Sequence, residues 1–266
     1  MQVLIEKSQI VFSSTAGCAG RYILDDRFKP YIHPLKTPKG HVVTVALPHD
    51  HRHHKGLMYA LRFADLNFWE EDPGSGACGI QEILKTEPIA NGFSQSLLWK
   101  EEHGTLQTYE ELRTITCQLN ELSSAYVWSW RSQRNALRPH RLIKSPWSRE
   151  MENGRLINYH GLGIRLPWGW SFSGESAPGI ESNGQDAYAT DTCGSSASKV
   201  GMRGPIDGHW SPPIAAVTIK QDGDYGWFVL KEGFPYLSVG PSNLREIDVG
   251  RGQEFDEHFQ IIVEDR

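Results

Sequence analysis

Long apolar runs are missing from this chain of 266 residues. No stretch of about 18 apolar residues occurs, so no segment is suited to cross a bilayer as a helix. Cysteine is scarce: Cys18, Cys78, Cys117 and Cys193 are widely spaced, with no CxxC pair to hold zinc or a redox dithiol. Four reduced thiols are expected. Concentrated positive charge is absent too. With 27 basic against 32 acidic side chains and a formal charge of -5, the chain lacks the footprint of a nucleic-acid binder, and the RPHR patch at 138–141 is too short to supply one. The opening MQVLIEKSQIVFSS shows no basic region followed by an apolar one, so a cytoplasmic location is expected. No repeat of about 20–50 residues argues for a solenoid or propeller. There is no Walker loop or GxGxxG between strand and helix, and GESAPG at 174–179 lacks the strand–serine–helix setting of a nucleophile elbow.

What is present points to β structure. Nine Trp, nine Tyr, 26 Gly and 15 Pro, at 39% hydrophobic content, describe a core-forming chain with many turns. Short β-rich runs recur at Val3–Ile5, Gln9–Ser13, His41–Leu47, Leu57–Phe63, Ser94–Trp99, Tyr126–Trp130, Leu156–Leu166, Ile214–Ile219, Gly226–Leu230 and Glu257–Val263. TLQTYEELRTITCQL also fits a helical face, but its β-branched residues and β-rich neighbours favour a strand. The expectation is an all-β chain: one large antiparallel β-sandwich domain over 1–266, with long loops. Residues 171–204, rich in Gly, Ser, Asp and Asn, read as a long loop excursion. Arg131–Arg155 reads as another, with Trp147 as its anchor.

The chemistry concentrates in PHDHRHHKG, residues 48–56, where His49, His51, His53 and His54 fall within six positions beside Asp50 and Lys55. On a strand, His49, His51 and His53 would share one face, with Asp50, Arg52 and His54 on the other. Clustered imidazoles bind metals through neutral nitrogens or move protons near neutral pH. The plain alternative is a polar strand whose histidines cap loops. The His-x-His spacing is that of cupins, but the glutamate expected about four residues on is replaced by Lys55-Gly56-Leu57, and no HExxH is present. A divalent metal (manganese, iron or zinc) therefore stays open, with His49, His51 and His53 as its ligands. Nearby candidates are His33 and Tyr31 in YIHPLKTPKG, Trp69 and Glu70 in DLNFWEE, and His160 in NYHGLGIRLP. A carboxylate beside imidazoles is the apparatus of general acid–base catalysis, and an indole face can floor a sugar ring.

These elements together resemble a family signature. Tyr31, His33-Pro34, Thr37-Pro38 and Gly40, then Asp50-His51, His53-His54-Lys55-Gly56-Leu57, then Phe68-Trp69-Glu70, with GLGIRLP at 161–167, resemble the PmoA-like family, a bacterial domain labelled "methane oxygenase". The likeness spans essentially the whole chain and departs from the pattern at Asn67, where Asp is more usual. Particulate methane oxidation belongs to a multi-span membrane enzyme, so for a chain without a span the label reads as a transferred name. The family's association with sugar oxidoreductases and isomerases implies carbohydrate catabolism. The closing LREIDVGRGQEFDEHFQIIVE is similar to the end of galactose-mutarotase-like supersandwiches.

The resulting expectation is a carbohydrate-active enzyme acting by acid–base chemistry on a sugar or an oxidised (3-keto) glycoside, by elimination, hydrolysis or epimerisation. His51, His53, His54, Glu70 and His33 are the catalytic candidates, and Trp69, Tyr31, His160 and Lys55 the substrate-binding ones. The expected partner is a small sugar or glycoside, with neither nucleic acid nor membrane, and a homo-oligomer stays open. A non-catalytic carbohydrate-binding module and a metal-dependent oxygenase are the alternatives.

Overall fold

The computed structural model describes residues 1–72, 74, 76–172 and 179–266. Two large antiparallel sheets pack face to face. The first has eight strands in the order β1 (Gln2–Ile5), β2 (Gln9–Ser14), β3 (Gly17–Ile23), β4 (Tyr31–Leu35), β5 (Leu57–Ala60), β13 (Gly161–Arg165), β19 (Tyr236–Gly240) and β18 (Gly226–Leu230). The second has nine: β15 (Gln185–Ala187), β14 (Ile180–Ser182), β16 (Lys199–Pro205), β17 (Ile214–Gln221), β21 (Glu254–Asp265), β9 (Ala125–Ala136), β8 (Gln107–Asn120), β7 (Gly92–Glu101) and β6 (Gly79–Ile89). Two short ribbons pair β10 (His140–Leu142) with β20 (Ile247–Val249), and β11 (Arg149–Glu150) with β12 (Leu156–Ile157). The all-β sandwich expected from composition and alternation is the fold observed.

The long strands form where side chains alternate. In β9, Tyr126, Trp128 and Trp130 point inward and are fully buried, while Val127 and Ser129 are only partly so. Across the sandwich, Phe12 of β2 meets Trp128 at 4.7 Å and Tyr22 of β3 meets Phe93 of β7 at 4.7 Å. Each fully buried aromatic of this kind contributes roughly 2–3 kcal/mol of transfer free energy. The ambiguous TLQTYEELRTITCQL segment is strand β8, paired along its length with β9, for example Ile115 with Trp130.

Four expectations change. His41–Leu47 is not a strand, because its backbone bonds go to different partners: Val43 N–H to the Leu35 carbonyl and Val45 N–H to that of Arg165. Leu156–Leu166 divides into β12 and β13. The break precedes Gly161, whose φ is +102° and where a Cβ would sit 2.2 Å from the Val239 carbonyl oxygen. The 171–204 excursion is partly regular: β14, β15 and most of β16 extend the nine-stranded sheet, with a short helix α1 (Ala189–Thr192) between β15 and β16. Arg131–Ala136 simply continues β9, and Trp147 is 77% exposed, so it anchors nothing. Most of the GESAPG motif lies outside the described residues.

The four cysteines are free thiols. Among the described residues, no helix is long and apolar enough to cross a membrane.

Candidate active site

The histidine-rich segment leaves the extended conformation. Two successive tight turns form, with His51 N–H donating to the Pro48 carbonyl and His54 N–H to that of His51; the loop is closed by Leu47 N–H on the His54 carbonyl. The strand alternation expected for residues 49–54 is thereby overturned. Residues three apart now stack: the His51 and His54 rings lie 4.8 Å apart and nearly parallel, and His54 in turn stacks on Tyr236 at 4.9 Å. Gly56 ends the loop with φ +62°, in a place where a Cβ would come within 2.3 Å of the Ile32 carbonyl oxygen. Only glycine lets β5 begin against β4 there.

This stack lines a cavity of about 520 Å³ together with His53, Glu70, Asp72, Trp147 and Tyr159. Phe228, Leu230 and Phe234 complete its wall.

The hydrogen bonds assign the imidazole protons. Arg165 Nη1 donates to His54 Nδ1 at 3.1 Å, and Nη2 donates to Asp50 Oδ2 at 3.2 Å. A guanidinium has no acceptor, so His54 Nδ1 carries the lone pair and its proton resides on Nε2. His51 Nδ1 meets Asp50 Oδ2 at 2.7 Å. Burial works against the Asp50 carboxylate, but His51 and Arg165 hold it below the usual carboxylate range, so it accepts the Nδ1 proton and leaves a lone pair on His51 Nε2. Arg165 is itself clamped between the rings of Phe234, at 4.2 Å, and Trp168, at 4.6 Å. One stacked pair therefore presents a proton acceptor, His51 Nε2, next to a donor, His54 Nε2–H.

Three imidazoles are kept neutral. Burial, reinforced by the charge of Lys29, pushes His53 down to about 3. Burial and its histidine neighbours hold His54 well below the ordinary range. Burial lowers His160 to about 3; its Nδ1 accepts from the Asn158 amide at 2.8 Å, and its Nε2 is buried without a partner among the described residues.

This has a consequence for stability. A histidine whose folded-state pKa is depressed stabilises the fold fully above its unfolded value of about 6.5, and that stability is lost as pH falls below it, because the unfolded chain takes up protons first. His53 and His160 together are expected to cost about 2.5 kcal/mol between pH 7 and pH 5.5, and His54 adds to the loss in the same direction. Urea unfolding at the two pH values measures it, and equal midpoints would remove the neutral-imidazole assignment.

The remaining sequence candidates separate. Asn67 Oδ1 caps the turn by accepting from the N–H groups of Trp69 and Glu70. Glu70 then reaches the cavity wall, where Arg62 pairs with Oε2 at 2.9 Å and Ser145 and Tyr159 donate to Oε1. Burial opposes its ionised form, yet the Arg62 charge and the two hydroxyls outweigh it and lower its pKa. A carboxylate held so is a poor base; its evident work is to tether the loop bearing Trp147, whose N–H donates to Ser145 Oγ. Trp69 is fully buried between His53, His54 and His160, so it is no open sugar platform. Lys55 lies behind the site in a buried ion cluster with Asp26 and Glu71, and Lys29 pairs with the other Glu71 oxygen. Tyr31 is buried in β4, and His33 bonds Thr44 Oγ1 at 3.0 Å; neither lines the cavity. His49 is exposed on the turn. Among the described residues, no group of three or more His, Cys, Asp or Glu side chains could hold a metal ion, so the His49, His51, His53 set does not converge. The turn keeps the His51 and His53 rings 5.8 Å apart and takes His49 out of the set.

Sequence reading missed Asp72, Trp147, Tyr159, Phe228, Leu230, Phe234 and Tyr236, most of which come from loops and from β18 and β19, remote from the histidines in sequence. Arg165, in the GLGIRLP element, was within a quoted motif but carried no chemical signal of its own.

With this geometry in hand, comparison with family models decides one point. The chain belongs to DUF6807, a family of unknown function, whose model matches residues 19–266. That match corrects the PmoA-like resemblance drawn from the histidine motif: the family shown is DUF6807. No curated protein matches the chain. Among solved structures, the chain is similar to a putative aldose 1-epimerase from Escherichia coli K12, at 12% identity and a TM-score of 0.34, over 99% of this chain and 98% of that one.

Proposed function

We propose that this chain is a carbohydrate-active enzyme that moves a proton between a sugar and His51. The observation that carries the reading is the stacked pair of oriented imidazoles, acceptor beside donor, at the wall of an aromatic cavity. On an oxidised (3-keto) glycoside, His51 Nε2 takes the proton from the carbon next to the ketone. The C–H electrons form an enolate, and His54 Nε2–H hydrogen-bonds to its oxygen. The glycosidic C–O bond then breaks, and the departing oxygen takes the proton back from His51. Protonation of the enolate carbon by water on its opposite face, with the His51 proton passing to solvent, gives epimerisation instead, and the same pair acting on a hydroxyl gives mutarotation. His53, neutral and without a hydrogen bond among the described residues, is suited to orient a hydroxyl.

The test is to incubate the protein in D2O with aldoses, glycosides and their 3-keto derivatives, following deuterium uptake and anomer exchange by NMR. Absence of exchange, products and accelerated mutarotation with all of them would sink catalysis.

Binding alone is the second reading, favoured by Trp147, which is 77% exposed yet lines the cavity. A Trp147→Ala variant is expected to weaken sugar affinity about tenfold through lost ring stacking. Isothermal titration measures this, and unchanged affinity would remove Trp147 from the site.

A further inference from the structure

We propose that the ligand of this cavity is an uncharged glycoside with an apolar, aryl-type aglycone, rather than a free sugar or a sugar phosphate. The inference rests on the carbohydrate reading above and adds the other half of the ligand.

Two observations carry it. The first is how few polar atoms the cavity offers and where they sit. Both Glu70 oxygens are already bonded, to Arg62, Ser145 and Tyr159. His51 Nδ1 is taken by Asp50 and His54 Nδ1 by Arg165. Among the described lining residues, what remains comes mainly from two short segments: Nε2 of His51 and His54, the His53 ring nitrogens, and Asp72 Oδ2, with the Trp147 indole N–H and the buried Tyr236 hydroxyl as the other unbonded polar groups. A pyranose carries hydroxyls around its whole rim, each a donor and an acceptor, and burying them unpaired is costly. Against these segments stands an apolar wall. Phe228 and Leu230 are two residues apart on β18 and share one face of it, and Phe234 touches the His51 ring at 4.4 Å. The apolar surface thus begins where the hydrogen-bonding groups stop, which suits a molecule that is sugar at one end and hydrocarbon at the other.

The second observation is charge. The ionisable acids on the lining are Glu70 and Asp72. The basic side chains around them are committed: Arg62 to Glu70, Arg165 to Asp50, Lys55 to Asp26 and Glu71, and Lys29 to Glu71. Among the described residues no Lys or Arg lines the cavity, so a phosphate or uronate would meet carboxylates there rather than cations, which costs affinity rather than adding it.

The experiment is isothermal titration of the full chain with methyl and phenyl β-glycosides of glucose, galactose and xylose, with glucose 6-phosphate, and with phenol. The phenyl glycoside of the preferred sugar is expected to bind about thirtyfold tighter than its methyl counterpart, from the apolar area its ring buries. Glucose 6-phosphate is expected to bind more weakly than methyl glucoside. A Leu230→Asn variant, changed at a half-buried position, is expected to narrow the phenyl-to-methyl ratio to below about fivefold. Methyl and phenyl glycosides that bind equally overturn the aglycone inference and leave the carbohydrate reading standing. So does tight binding of the phosphate. Phenol bound as tightly as the phenyl glycosides, or no glycoside bound at all, overturns the carbohydrate reading and the inference with it.

Discussion

A His51→Ala variant is expected to lose turnover by about a hundredfold to ten-thousandfold, the range for removing a positioned general base. Affinity for the same sugar should stay within about threefold, because the stacking surface and most hydrogen-bonding groups remain. The expectation follows from the way Asp50 and Arg165 fix the turn: the carboxylate holds the His51 proton on Nδ1, and the guanidinium holds the His54 proton on Nε2. His51 is also the half-exposed member of the stack, so its replacement leaves no buried group stranded. Steady-state rates and titration on one preparation make the measurement. Turnover that survives the substitution would remove His51 as the base, whereas parallel loss of turnover and affinity with intact circular dichroism would make it a binding residue. Asp50→Asn should also lower turnover, since an amide at this position can donate to Nδ1 and move the proton to Nε2.

The largest effect expected on stability lies in the core, far from the turn in sequence. Arg134 of β9 and Glu257 of β21 form an ion pair that is almost fully buried, with the Tyr59 hydroxyl donating to the same carboxylate at 2.5 Å. The guanidinium also sits 4.8 Å from the Tyr59 ring, 5.2 Å from that of Tyr109 and 5.3 Å from that of Phe255. Arg134→Met strands the carboxylate, which burial already biases toward its protonated form. About 3–5 kcal/mol of stability should be lost at neutral pH, as for other buried pairs broken on one side. The loss should shrink as pH falls, because protonating Glu257 removes the uncompensated charge. Adding Glu257→Gln keeps an acceptor for Tyr59 without the charge, so the double variant should recover more than half of the loss. Urea unfolding of both variants measures the coupling; additive losses would show that the pair does not act as a unit.

The parts of the fold that were legible are those with strong local periodicity. β8 and β9 alternate over a dozen residues and both are recognisable as strands, although the sequence pattern places only Tyr126–Trp130 of β9 in one and reads Arg131–Ala136 as loop. His41–Leu47 alternates as well, yet each of its backbone groups bonds to a different neighbour, a matter of tertiary placement. The site shows the same division. Clustered histidines identified the loop, but the strand assumed for them put His49, His51 and His53 together, whereas the turns pair His51 with His54 and leave His49 outside. Trp69 and Trp147 reversed roles for a related reason: one indole is walled in by three imidazoles, while the other stands on a loop tethered to Glu70. Lys55 looked like a ligand-binding cation because its partners, Asp26 and Glu71, are not adjacent to it in the chain.

The sequence by itself determined the all-β class, the approximate place of many of the strands, and the segment where the histidines are concentrated. Local chemistry suffices for these, since a period of two and a run of imidazoles are visible without knowing the neighbours. Only the tertiary structure decided which imidazoles stack, which nitrogen of each holds the proton, and which aromatics face the cavity. Those properties depend on Asp50, Arg165, Tyr236 and Phe234, brought together across long sequence separations by strand pairing. A hydrogen bond or a ring contact is set by distances of a few ångström between such residues, and no local pattern encodes those distances.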